Sequence, residues 1–162
     1  LLVSVTPEDF PGEGPLAGIA FQRALEERAY AAGGGGFIAP AQRVEDFLLR
    51  RPSAGPGRVT PTYRPGVRWC DLWQVLPEFV CQSLAQALPI LDRKVRGYGD
   101  PDAVLTAVES RSSCPLRILR DGEGQSAIRG LWPCGEGAGY AGGIMSAAAD
   151  GLRIAEAILA RL

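Results

Sequence analysis

Apolar positions recur at helical spacing in several parts of the chain. After Pro15, whose fixed φ suits a first helical turn, Leu16, Ile19, Ala20 and Ala24 predict a helix running toward Tyr30 and stopped at Gly33 to Gly36. Arg43 to Arg50 predicts a brief helix with Val44, Phe47 and Leu48 on one face, ended by Pro52. Val80, Leu84, Leu88 and Leu91 form the buried stripe of a helical region that Asp71 can cap and Pro77 re-enters, with Pro89 expected to kink or end it. Gly142 to Leu162 predicts a closing amphipathic helix. Strands are predicted at Leu1 to Val5, Ala103 to Glu109, Pro115 to Arg120 and Ile128 to Pro133, with a short extended piece at Phe37 to Ala39. Arg51 to Gly66 carries four prolines and three glycines and predicts a surface loop. The expected class is α+β.

Bulk composition narrows the picture mainly by exclusion. At 162 residues, 46% hydrophobic, the chain is long enough to build a core without metals or crosslinks. Seventeen basic and eighteen acidic side chains give a net charge of −1, so no global field favours nucleic acid or an anionic membrane. The absence of histidine removes Ser-His-Asp and Cys-His nucleophile systems and every imidazole metal site. Cys70, Cys81, Cys114 and Cys134 match neither a C-x-x-C redox pair nor a zinc ribbon, and are expected as free thiols in a reducing cytoplasm, with no metal site. Neither a membrane span nor a signal peptide is expected. The start at Leu1, without methionine, is expected to mark a piece cut from a longer chain.

The most informative stretch is GLWPCGEGAGYAGGIMSAAADGLRIAEAI, Gly130 to Ile158, which leads an apolar run into a helix through closely spaced glycines. Gly137, Gly139 and Gly142 satisfy G-x-G-x-x-G, and amides at the following helix start suit a pyrophosphate or a polar flavin edge. A Rossmann unit also needs a second strand and an acid about 20 positions on, for which the chain leaves no room. Gly34, Gly36 and Ala39, another near match, follow a helix and run into Pro40, and are read as a helix stop.

The string CGEGAGYAGGIMSAA, together with APAQRVEDFL from Ala39, YRPGV from Tyr63, LPEFV from Leu76 and AVLTAVESRSSCPLRILRD from Ala103, resembles the carboxyl-terminal portion of bacterial FAD-dependent dehydrogenases of the two-dinucleotide-fold flavoprotein type. The resemblance implies a substrate-type domain with a mixed sheet over residues 1–103. It implies the final strand and helix of a FAD-binding domain over 104–162, lacking the amino-terminal Rossmann half. It implies FAD in the intact protein, with NAD(P)H as a candidate electron donor, and a fragment inactive alone. Gly135, Glu136, Gly137, Gly142, Gly143, Ile144, Met145 and Ser146 are the implied cofactor-binding residues. Glu136 would bond a ribityl hydroxyl, and the amides of Gly142 to Met145 would lie near the phosphate or the flavin pyrimidine. Arg43, Thr106, Glu109, Arg111 and Ser112 are the implied substrate contacts; no catalytic acid or base is assigned.

Other features have plainer readings beside chemical ones. Arg50, Arg51, Arg58, Arg64 and Arg68 fall in a stretch without acids, suited to a phosphate or to a solvated loop. Cys134, beside Gly135, is either a redox thiol or a small hydrophobe. Trp132 and Tyr140 either flank the site or serve packing. The alternative to an oxidoreductase fragment is a flavin- or nucleotide-dependent module that binds RNA or protein without redox turnover, though the even charge gives nucleic acid little to bind. Cut from its partner, the closing helix should expose Ile144, Leu152, Ile154, Ala155 and Ile158 and favour self-association.

Overall fold

The computed structural model describes residues 1–161. Four helices, α1 (Ala17–Gly33), α2 (Val44–Leu48), α3 (Glu78–Lys94) and α4 (Ile144–Leu159), accompany three short strands, β1 (Ala39–Arg43), β2 (Val67–Trp69) and β3 (Val104–Thr106). The class is α+β, and the small sheet is mixed. In the order β2-β1-β3, β1 pairs parallel with β2 and antiparallel with β3. The chain divides into two compact units, residues 1–9 with 23–110 and residues 10–22 with 111 onward. The division falls within α1 and again after Ser110, and β3 lies in the first unit because its partner β1 does.

The first unit holds the sheet and the main core. Phe47, Val44, Leu72, Val75, Cys81 and Leu88 are buried together, and Trp73 stacks on Phe47 while its indole N–H donates to the Phe47 carbonyl at 2.9 Å. Polar groups inside this core are paired. Gln42, fully buried, donates to the Arg51 carbonyl at 2.7 Å and accepts from the Leu72 amide at 2.8 Å. Asp46, 2% exposed, accepts from Ser53, Arg43 and Arg51 at 2.7 to 2.9 Å. Unpaired, either side chain would cost far more than its hydrogen bonds return.

The second unit contains α4 and the glycine turn before it. Ile154 is buried there, against the Asp121 turn: a Cβ on Gly124 would meet its Cδ1. Phe10 and Phe21 meet with ring centroids 5.8 Å apart.

Several expectations are corrected. Leu1 to Val5 form no strand, since no neighbouring strand supplies a ladder. Pro89 does not end its helix: α3 runs on to Lys94, because one missing hydrogen bond on the exposed face is outweighed by burial of Leu88 and Cys81 on the other. Pro115 to Arg120 and Ile128 to Pro133 are not strands. Their backbones make isolated bonds, Ile118 N–H to the Ala138 carbonyl and Ser126 N–H to the Leu131 carbonyl, while Leu119 and Ile128 are well exposed. The strand β2 was not foreseen. The expected end of the closing helix at Leu162 lies outside the described residues.

Candidate flavin-contacting turn

The segment from Cys134 to Gly143 is a tight turn that delivers the chain to the first residue of α4. Its geometry is set from below by one ion pair. Arg120 donates to both oxygens of Asp150 at 2.7 and 2.9 Å, and the two side chains are 6% and 9% exposed. Asp150 sits in the second turn of α4, and its Oδ2 also accepts the Gly135 amide at 2.9 Å. Arg120 in turn donates to the Pro133 carbonyl at 2.8 Å and lies over the Tyr140 ring at 3.5 Å, while the Tyr140 hydroxyl donates to the Ile118 carbonyl. The start of the glycine turn and Tyr140 within it are therefore tied to the same buried charge pair. The Arg120 hydrogen bonds, and after them the Gly135 amide, hold the Asp150 carboxyl well below the usual carboxylate range. Neither residue was singled out from the sequence; the only available signal was that an Asp inside an otherwise apolar helix face needs a partner.

The glycines of the turn fall into two kinds. Gly139 is demanded by the fold: its φ is +80°, and a Cβ would sit within van der Waals contact of the Leu116 carbonyl. Gly135 has φ +69°, again a left-handed conformation. Gly137 and Gly142 are different. No such φ occurs at either, a Cβ on Gly137 would meet nothing within 4 Å, and one on Gly142 would meet only Ser113 Cβ at an ordinary 3.7 Å. Local packing asks for glycine at neither position; Gly137 faces open space, and Gly142 is exposed beside Ser113.

The start of α4 is equally accessible. Gly143 is the N-cap with extended backbone, and its amide donates to the Ser146 hydroxyl, which donates back to the Gly143 carbonyl at 2.9 Å. The amides of Ile144, Met145 and Ser146 are first-turn donors without an intrahelical acceptor, and Ile144 and Met145 are 89% and 81% exposed. Glu136 is exposed at the tip of the turn, and its side chain has no hydrogen bond or ion pair among the described residues. Of the sequence-derived cofactor residues, the structure thus brings Glu136, Gly137, Gly142, Gly143, Ile144, Met145 and Ser146 to one turn and helix start, with Gly135 at its anchored base. Backbone donors at a helix N-terminus, cleared of side chains, suit the polar edge of a dinucleotide, so the residues present fit FAD.

The remaining candidates are distributed over both units. Arg43 is committed to Asp46 at 2.9 Å and Asp102 at 3.2 Å, which raise its affinity for its proton. Thr106 is exposed at the end of β3, and Glu109 belongs with it to the first unit, whereas Arg111 and Ser112 belong to the second. The arginine-rich stretch is dispersed rather than pooled. Arg50 stacks over Trp73 at 3.9 Å, Arg51 pairs with Asp46 and Glu45, and Arg58 pairs with Asp100 and Asp102. Among the described residues, Trp132 Nε1 is buried without a partner. Cys134 is exposed. No group of three Cys, Asp or Glu side chains among them is disposed to hold a metal, and no helix is long and apolar enough to cross a membrane.

Comparison with known proteins assigns the class. Residues 1–112 match the family described as FAD-dependent protein, C-terminal domain-like, and the chain belongs to that family: it is a carboxyl-terminal portion of a FAD-dependent protein. Over 160 residues, 98% of its length, it is 45% identical to an uncharacterized protein of Clostridium beijerinckii, and it spans 30% of that relative. The family match ends before the glycine turn, whereas the alignment with the clostridial relative runs through it.

Proposed function

We propose that the chain is the carboxyl-terminal part of a FAD-dependent oxidoreductase of the dehydrogenase type and contributes the turn that meets the ribityl and pyrimidine side of the cofactor. The observation that carries this reading is the pair Gly137 and Gly142, glycines with no local steric reason, set beside the free amides that open α4. Glu136 is placed to accept a hydrogen bond from a sugar-like hydroxyl, and the amides of Gly142 to Ser146 supply donors and a positive helix end for an anionic edge. Asp150 and Arg120 hold the turn so that those donors need not reorganise when a ligand arrives. Flavin, when bound, supplies the two-electron chemistry, and a nicotinamide such as NAD(P)H is the hydride donor most in keeping with it. Arg43, Thr106, Glu109, Arg111 and Ser112 remain the residues proposed to meet substrate. In this reading residues 1–103 are the substrate-type part and 104–162 the end of the FAD-binding part.

The exposed apolar side of α4, with Ile144, Leu152 and Leu159 between 68% and 89% exposed, supports a further segment packing there in a longer protein, as does the relative's greater length. The deciding experiment is the visible spectrum of the chain before and after addition of FAD, repeated on a protein extended through the preceding residues. Oxidised-flavin bands in the extended protein alone are the expected result. Flavin held by the 162-residue chain would overturn the divided site, and flavin held by neither would overturn the reading as a whole.

A further inference from the structure

Within the first unit, a groove of about 460 Å³ runs between the carboxyl-terminal half of α1, the strand β2 and the short 3-10 turn Leu72–Gln74 that follows it. Its rim carries Arg28 and Arg68. These two are not committed to carboxylates, unlike Arg43, Arg51, Arg58, Arg120, Arg153 and Arg161. Arg28 donates only to a carbonyl of its own helix, Ala24, at 3.3 Å, and Arg68 makes no hydrogen bond or ion pair among the described residues. Arg68 is nonetheless placed. Its stem and guanidinium lie against Gly34, where an added Cβ would come within 3.0 Å of Nη1, and Gly34 has φ +85°.

The strand adds a backbone contribution. In the parallel ladder, Gly66 and Cys70 bond to Ala39 and Ala41 of β1, so the alternating residues Val67 and Trp69 turn their N–H and C=O groups toward the open edge of the sheet. The Trp69 amide is thus on the unpaired edge of the sheet, and Trp69 lines the groove. Of the carbonyls that end α1, those of Tyr30 and Ala31 accept from the Gly35 and Gly34 amides. Ala31, Ala32 and Val75 supply apolar wall. Asp71 is the one acid of the lining, and its Oδ1 is engaged by the Trp73 amide. Two guanidinium groups and one carboxylate leave a single net positive charge.

We propose that this groove is a binding site for a small organic monoanion, a carboxylate held by Arg28, Arg68 and the Trp69 amide with its apolar body along α1 and Val75. Its volume lies in the range of ordinary small-molecule sites. The Asp71 charge sets the selectivity, since a second negative charge on the ligand would face it without a third cation. The site is independent of the glycine turn and needs no flavin.

Titration of the chain with 2-naphthoate, followed by calorimetry and by amide shifts, tests the proposal. Saturable binding is expected, with the largest shifts at residues 28–32 and 68–75. It should weaken about tenfold for 2-naphthamide, for R28Q and for R68Q, the order expected for loss of one charge-assisted hydrogen bond, and R64Q should bind as the parent does. Both arginines are exposed, so the variants keep the fold, which circular dichroism verifies. Absence of saturation, binding unchanged in R28Q/R68Q, or phenyl phosphate binding more tightly than naphthoate each overturns the assignment.

Discussion

Asp150 and Arg120 are joined through two parallel hydrogen bonds, and from that single pair the chain fixes Pro133 ahead of the glycine turn, the Gly135 amide within it and the second turn of α4. Both side chains are buried, so removal of one strands the other in a poorly solvated site. D150N is expected to cost about 3 kcal/mol in urea unfolding, and to broaden the amide resonances of Gly135 to Gly143 while leaving those of the first unit's sheet in place. Equal loss of order in both units would contradict the role.

The same pair gives a pH dependence of defined sign. Asp150's folded carboxyl titrates below its ordinary value of 3.8, so the stability it contributes is fully present above that value and is lost as pH falls from there toward the depressed one. Acid unfolding of the parent should therefore steepen below about pH 4, and D150N should show a shallower dependence over that interval.

Glycines of the turn should separate by function. G139A places a methyl group against the Leu116 carbonyl at a positive φ and should destabilise by about 2 kcal/mol or more. G137A should leave thermal stability unchanged and weaken FAD retention in the longer protein. If G137A unfolds the chain, or G139A does not, the division between structural and ligand-facing glycines fails.

Gly151 lies inside α4 with open space around its missing side chain. G151A should stabilise by about 0.5 to 1 kcal/mol through helix propensity alone. Nothing in the structure explains the glycine at this position.

The thiols should react in the order of their surroundings. Burial pushes the Cys81 thiol up to about 11, and it is fully enclosed, whereas Cys134 is exposed. A thiol reagent at about pH 8 should modify Cys134 first and reach Cys81 only on unfolding.

The helices were legible in the sequence because each carries an apolar face that repeats every three to four residues, as Val80, Leu84, Leu88 and Leu91 show. Strands were not. β2 is three residues long, too short for alternation to register, and is held by its neighbour rather than by its own composition. Ile118, Leu119 and Ile128 have strand-like character, yet among the described residues nothing pairs with them in a ladder. The glycine turn could be read from its spacing, but the distinction between Gly139 and Gly137 needed the position of the Leu116 carbonyl, which lies more than twenty residues away. Ile154 was expected on the exposed face and is instead buried beside Gly124, for the same reason: a helix's periodicity shows a face without showing which neighbour covers it. Ile158, expected beside it, is half-buried.

Gln42 holds the Arg51 carbonyl with one end of its amide and the Leu72 amide with the other. The residues between them form a closed ring whose closure is already secured by a group outside it. Lengthening such a ring costs only about 0.6 kcal/mol for each doubling. Between Val59 and Thr62, beyond the Arg58 ion pairs and before the Tyr63 hydroxyl reaches Phe37, the chain is thus open to inserted sequence at little thermodynamic expense, and a sensor or affinity peptide grafted there would ride on the sheet without perturbing it.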